Sequence, residues 1–367
     1  MSKRFSLARA GQWFLGSGIQ ERSGGVARFY QAEFKKNKPV SSEITGYTAS
    51  TLVYLFNTTG DEAYLTRAQQ TASFLIDHAW DPDLRTFPYE HPSPSPQSQH
   101  HAYFFDCGII IRGLLAVWSV TREYRLLDIA HTAAQSMLTD FYKRGAGNER
   151  GYHPILALPS KSPLPHTQQW SRSPGCYQLK AALAWLDVSE LTDDGPLKSA
   201  YLDLLATALA THGGFLPGAN PHATMDRLHA YCYFLEALTP VLERPDCAQV
   251  FSEALSAVSF HLRQIVPSFV RSDVRAQLLR VRIFAAAAIP HEFPLDQEDA
   301  EDEADALAQF QASSEDRRID GGFCFGCREG VLSTHINPVS TAFALQALEM
   351  WREYQVGSKP PCRQLLI

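Results

Sequence analysis

The sequence has no basic excess. Its 33 Lys and Arg stand against 39 Asp and Glu, a net charge of −6. Binding a phosphate backbone needs a basic face, so no nucleic-acid partner is expected. The seven cysteines are odd in number and scattered. That is no disulfide framework, and it points to a reducing compartment. The stretch Met1–Gly18 has a basic start but no sustained apolar core, so no signal peptide is read there. No run approaches the roughly 20 apolar residues of a membrane span. The expected address is the cytoplasm. Strand-like alternation of apolar and polar residues is almost absent.

What is present is helical periodicity. Hydrophobic residues make up 45% of the 367 and charged residues 20%, which suits a soluble chain with a large core. Phe5–Ile19 reads as a first helix, followed by the break Ser23–Gly25. A second helix opens at Ser41–Tyr47 and runs to about Phe56. Asn57–Asp61 is a tight turn, and Asp61 caps a third helix with Tyr64, Leu65, Ala68 and Ala72 at helical spacing. A loop holding Pro92–Pro96 leads to Asp106, at the head of the apolar helix Ile109–Val117. Glu123–Tyr142 is the amphipathic return. After the long loop Lys143–Gln169, the stretch Trp170–Trp185 begins with turn residues and becomes helical from Cys176. Leu197–Ala210, Thr224 to about Leu242, Cys247–Ile265, Arg271–Ile289 and a solvated acidic helix near Glu298–Gln311 follow. A last helix starts near His335–Pro338, with Ala342–Trp351 apolar.

An apolar helix followed by an amphipathic one therefore recurs along the chain, at a period of roughly 55–65 residues. Helices apolar all round belong inside, and amphipathic ones on an outer layer. The expected fold is all-α: a six-hairpin α/α toroid of about twelve helices, forming one domain over residues 1–367 with a tail from about 357. Its inner helices begin near Glu43, Asp106, Tyr177, Asp226, Asp273 and Asn337, with their N-termini sharing one mouth. A helix start offers free N–H groups and a positive dipole end, which suits an anion.

Capping accounts for one Asp or Ser per helix start. It does not account for His101, Trp170, Arg172, Arg227, His229, Tyr231 and His335 at the same level. The candidate catalytic groups are Asp106, Asp226, His229 and Glu43. The candidate substrate contacts are His101, Tyr103, Trp170, Arg172, Tyr177, Lys180, Arg227, Tyr231, Arg28, Tyr47, His335 and Asn337. Arg28, Arg172, Arg227, Arg271 and Arg275 are expected near the mouth, making it locally cationic.

The segment WSRSPGCYQLKAALAW from Trp170 to Trp185 resembles the Trp-Ser/Ala-Arg-Gly-Gln-Ala-Trp motif of unsaturated glucuronyl and rhamnogalacturonyl hydrolases, which are six-hairpin α/α toroids. It departs from that motif at Ser173-Pro174. Phe105–Gly108 resembles the segment bearing their catalytic aspartate. Gly46, Tyr47, Thr59, Gly60, Asp61, Tyr64, Leu65 and Ala68 resemble a pattern shared by sugar-active toroids, sugar and uronate epimerases among them. The resemblance implies an oligosaccharide or polysaccharide substrate containing uronate, with Asp106 as general acid/base. Trp170 and Tyr177 would stack on sugar faces, and Arg172 and Arg227 would hold a carboxylate. The competing reading is an epimerase using His229 or Tyr231, assisted by Glu43 or Asp226. A glycosidase pairing Asp106 with Asp226 or Glu43, and a toroid that only binds a glycan or protein, are further alternatives. Cys107, Cys176 and Cys232 fall at inner-helix starts, and Cys324-Phe325-Gly326-Cys327 precedes His335. A lone Cys-x-x-Cys is a weak metal signal, so no metal and no cofactor is expected.

Overall fold

The structure, a computed structural model, describes residues 5–91, 100–143, 151–216, 221–266, 268–358 and 363–367. The run Pro92–Pro96 lies outside the described residues, as do parts of the loops 143–169 and 213–218 and of the tail. In chain order the helices are α1 (Leu7–Gly16), α2 (Ser42–Thr59), α3 (Glu62–Phe74), α4 (Phe104–Thr121), α5 (Tyr124–Asp140) and α6 (Gln178–Thr192). They continue as α7 (Gly195–Thr211), α8 (Pro221–Leu238), α9 (Pro245–Ile265), α10 (Ser272–Ala288), α11 (Gln297–Ala308) and α12 (Pro338–Gln355). Contacts divide the chain into two compact units. One consists of Gln20–Arg28 and Pro39–Gly213; the other of Met1–Ile19, Phe29–Lys38 and Gly214–Ile367.

In the first unit α2 packs on α4 and α4 on α6, while α3, α5 and α7 return against them. The middle helix is apolar on all sides: every residue from Phe104 to Val117 is buried. By length and composition alone α4 could cross a membrane, but 78% of that window is buried inside the protein. The returning helices bury one stripe each. In α7 this is Leu197, Ala200, Tyr201, Leu204, Leu205 and Ala208, the i, i+3/i+4 pattern of a surface helix. Local chemistry sets the ends: Ser41 caps α2, Gly60 closes it at φ 71, and Asp61 caps α3 by accepting from the Ala63 N–H.

Close approach of the central helices depends on glycine. A Cβ on Gly46 would lie 2.9 Å from the Ile110 Cα, and one on Gly113 would lie 2.5 Å from the Gly46 carbonyl oxygen. One on Gly108 would strike the Ala181 backbone of α6. A buried ion pair, Arg112 Nε to Asp187 Oδ2 at 3.0 Å, also ties α4 to α6.

The second unit has the same plan. Here α8 and α12 both pack on α10, α9 lies on α8, α11 lies on α10 and α12, and α1 lies on α12. Arg280 on α10 is fully buried, paired with the equally buried Glu236 on α8. It also donates to Gln346 Oε1 at 2.8 Å and to the Ile367 carbonyl at 2.9 Å. The chain end expected to be a tail is thus partly core, with Leu366 and Ile367 buried.

Three expectations need correction. α1 is shorter than Phe5–Ile19. Asp226 is not at a helix start, because α8 begins at Pro221. Short strands occur that the pattern did not reveal: Val40–Ser41 precedes α2, His100–Tyr103 precedes α4, Phe269–Arg271 precedes α10 and His335–Ile336 precedes α12. At two to four residues they are too short for a period-2 signal. They nevertheless fix where each of these helices starts.

Replacing Gly108 by Ala is expected to cost about 1–3 kcal/mol, the scale of an overpacked core, in chemical denaturation. Gly195→Ala meets nothing within 4 Å and should fall within about 0.5 kcal/mol of wild type. Equal effects would contradict the close-approach account.

Candidate functional site

The strongest chemistry in the first unit is a pair of carboxyls, Glu43 and Asp106, in the first turns of α2 and α4. The backbone around them is tightly defined. Ser41 pairs with Glu90 in a two-residue ladder, Ser42 Oγ donates to the Pro88 carbonyl at 2.7 Å, and the Tyr89 N–H donates to the His101 carbonyl at 2.9 Å. Asp106 is only 6% exposed, and its Oδ2 has no hydrogen-bond partner among the described residues. Burial raises its affinity for a proton, and the charge of Glu43 raises it further, against the pull of Arg28. Asp106 is therefore held well above the ordinary carboxylate range. Burial likewise pushes Glu43 up to about 7, with Arg28 opposing. Two carboxyls that share a poorly solvated site resist ionising together.

Around the pair stand tyrosines, an arginine and an aromatic wall. The Arg28 guanidinium lies 4.7 Å over the Tyr89 ring and is ion-paired with Glu90. Tyr103 stacks obliquely on Tyr89 at 5.3 Å and accepts from Arg172 Nε at 3.4 Å. Phe105, Trp170 and Tyr177 contact one another edge-on or tilted at 5.0–5.9 Å. His101 is half-buried, its pKa lowered by burial and then by Arg172 and His100. The structure thus gathers Arg28, Glu43, His101, Tyr103, Asp106, Trp170, Arg172 and Tyr177 into one region of one unit. Tyr177 is buried among them, and two other sequence candidates are buried there too. Lys180 is fully buried on α6, and Tyr47 is buried on α2.

In the second unit Arg271 precedes α10 and organises a separate cluster. It donates to both oxygens of Asp273, at 2.9 and 2.6 Å, and to Asp226 Oδ1 at 2.8 Å. It also lies 4.6 Å over the Phe325 ring. Asp273 is buried, yet Arg271 outweighs that burial and keeps its carboxyl below the ordinary value. His229 Nδ1 lies 2.8 Å from Gln277 Oε1 and 3.7 Å from Asp273 Oδ2. Burial, then the Arg271 charge, lowers the His229 pKa to about 4, so the ring is neutral at pH 7. Tyr231 stacks on Phe215 at 6.1 Å, and Arg227 donates to the Phe215 carbonyl at 3.0 Å. His335 lies against Phe29 at 4.8 Å. Asn337 is the cap of α12, accepting from the Val339 and Ser340 N–H groups.

The expectation of a cationic rim changes in detail. Arg28 and Arg271 are neutralised by carboxylates of the chain, and Arg275 is set against Glu303 of α11. Tyr89, Glu90 and Gln277 were not among the sequence candidates. Tyr89-Glu90 sits beside the Pro/Ser-rich run with no helical period to mark it, and Gln277 reads as an ordinary residue of α10. Among the described residues no three His, Cys, Asp or Glu side chains gather as a metal site would need.

No protein-family model matches the chain, and no curated protein matches it by sequence. Solved structures do. A cellobiose 2-epimerase from Spirochaeta thermophila superposes with a TM-score of 0.71 at 13% identity, over 95% of each chain. A D-mannose isomerase gives 0.67 at 8%, over 95% of this chain and 97% of the other. A family 76 glycoside hydrolase from a bovine Bacteroides thetaiotaomicron strain gives 0.63 at 13%, over 95% and 78%. The fold is the α/α toroid. Its neighbours are carbohydrate-active proteins, and among them the same toroid appears under epimerase, isomerase and hydrolase names.

The two clusters of this toroid make opposite contributions to stability with pH. A carboxyl whose pKa is raised by folding stabilises the fold below its ordinary value of 4.5, and that contribution is lost as pH rises through about 7, as for Glu43. A histidine whose pKa folding lowers from 6.5 to about 4 stabilises at high pH, and loses that contribution as pH falls through this window. Melting curves across pH 4–8 should therefore show Glu43→Gln flattening a decline toward pH 7, and His229→Gln flattening a decline toward pH 4. Unchanged slopes in both variants would contradict the assignments.

Proposed function

We propose that this chain is a carbohydrate-active enzyme working by proton transfer, with Asp106 as its acid/base group. The observation that carries this reading is the buried Asp106 carboxyl, poised to keep a proton beside Glu43 and flanked by the Phe105, Trp170 and Tyr177 rings. A carboxylic acid with a raised pKa can donate a proton to a leaving sugar oxygen at neutral pH. Glu43, as the second carboxyl, would act on water or on the developing positive charge, so the reaction assigned is glycoside hydrolysis. Of the three rings Trp170 is the part-exposed one, and it suits the apolar face of a sugar. For a uronate-containing oligosaccharide, Arg172 is the group assigned to the carboxylate, because Arg28, Arg271 and Arg275 already face carboxylates. A reducing, cytoplasmic compartment suits the six described cysteines, all free thiols.

A second reading, epimerisation or isomerisation, is favoured by a different observation. His229 is neutral at pH 7 and oriented by Gln277, as a base that removes a proton next to a sugar carbonyl must be. The epimerase and isomerase superpositions over whole chains support it. In a third reading, in which the toroid only binds a glycan, neither group needs its shifted pKa.

One experiment separates the three. The protein is incubated with uronate-containing and neutral oligosaccharides, in ordinary and in heavy water, and products are read by mass. Hydrolysis adds water and splits the substrate. Epimerisation leaves the mass unchanged in ordinary water and adds one deuterium in heavy water. Asp106→Asn is expected to reduce turnover by about a hundredfold or more with little change in melting temperature. Near-wild-type turnover in Asp106→Asn, with loss in His229→Gln, would overturn the first reading in favour of the second. Binding without turnover of any sugar would leave only the third.

A further inference from the structure

The partly buried ion pair between Arg28 and Glu90 is placed where it can act on the carboxyl pair. The segment carrying Arg28 and the segment carrying Glu90 lie on either side of one short strand. Ala27 bridges to Val40, the Arg28 N–H donates to the Pro39 carbonyl at 3.1 Å, and Ser41 pairs with Glu90. Two residues after Ser41 comes Glu43. The guanidinium, 32% exposed, has Nη2 on Glu90, its face on the Tyr89 ring, and Nε without an acceptor among the described residues. No ion pair within 4.0 Å joins it to Glu43 or Asp106, yet its charge is felt by both, and by Tyr89 and Tyr103.

We infer that Glu90 is a positioning residue: its carboxylate anchors Arg28 on the Tyr89 side and so sets how much positive charge reaches Glu43 and Asp106. The inference rests on the reading of Asp106 as the acid/base group. The charge of Arg28 already acts on Glu43 and Asp106, and a guanidinium released from Glu90 that made direct contact with either would favour its ionised form. An acid that must carry its proton would then lose it at lower pH. The groups facing the pair are Arg28, Tyr89, Tyr103 and, through Tyr103, Arg172. Arg28 is the one among them whose charge bears on both carboxyls. The competing account is an ordinary surface ion pair, which contributes about 0–1 kcal/mol and touches no chemistry.

The test uses full-length Glu90→Gln, Arg28→Gln, the double variant and Glu90→Asp. Protonation of the pair is followed by the infrared carboxylic C=O band, assigned by its loss in Asp106→Asn. Glu90→Gln should move the titration down by about one pH unit, Arg28→Gln should move it up, and Glu90→Asp should restore it. The double variant should follow Arg28→Gln, because Glu90 acts through Arg28. With an active sugar, the alkaline limb of the rate profile should move by the same amount in Glu90→Gln, with turnover on the acid side kept and KM within about threefold. An unmoved titration in Glu90→Gln, or a Glu90 effect that survives without Arg28, overturns the inference. If no sugar is turned over, the infrared titration still decides it, and only the reading of function falls.

Discussion

Two carboxyls brought together where water cannot solvate both are the constraint on which the first unit depends. Glu43 and Asp106 reach this position because α2 and α4 approach at Gly46 and Gly113 with almost no side chain between them. The short strands before the helices set the start of each one, so that both acids fall in a first turn. Capping does not explain the arrangement. The cap of α2 is Ser41, and Tyr103, the residue before α4, makes no side-chain cap. Burial, with Glu43 alongside and Oδ2 unpartnered among the described residues, is what raises the Asp106 pKa.

A comparison within the chain shows how narrow the margin is. Asp106 in α4 and Asp273 in α10 are both first-turn aspartates, and both are buried. Arg271 grips both oxygens of Asp273, so that carboxyl stays ionised despite its burial. Among the described residues no guanidinium ion-pairs with Asp106, and its neighbour is a second acid, so its pKa is pushed up instead. Two buried first-turn aspartates are thus pushed in opposite directions, Asp273 down by a bidentate guanidinium and Asp106 up by burial and a second acid. The same arginine that fixes Asp273 also helps to keep His229 neutral.

Much of this was legible in the residues. The helices announced themselves because long apolar and amphipathic segments carry a strong 3.6-residue period, as in Ile109–Val117 and Cys247–Ile265. Asp106 stood out because it heads a segment too apolar to solvate it, and Trp170, Arg172 and Tyr177 stood out as a loop-to-helix cluster. What escaped was whatever depends on contacts distant in sequence. Glu90 lies 62 residues from Arg28, in a strand too short to show a pattern. Gln277 became visible only through His229, 48 residues away. Lys180 looked like a substrate contact near a helix start, but the third residue of α6 is fully buried. Asp226 looked like a helix start because Thr224-Met225-Asp226 is a plausible one, yet α8 already begins at Pro221.

The central claim is that Asp106 and Glu43 together hold a proton at neutral pH. Neutron diffraction from a deuterated crystal at pH 7 tests it without reference to any substrate. Nuclear density for one deuteron on the pair, on an oxygen of Asp106, is the predicted result. Two bare carboxylates, each compensated by Arg28 or by ordered water, would contradict the account.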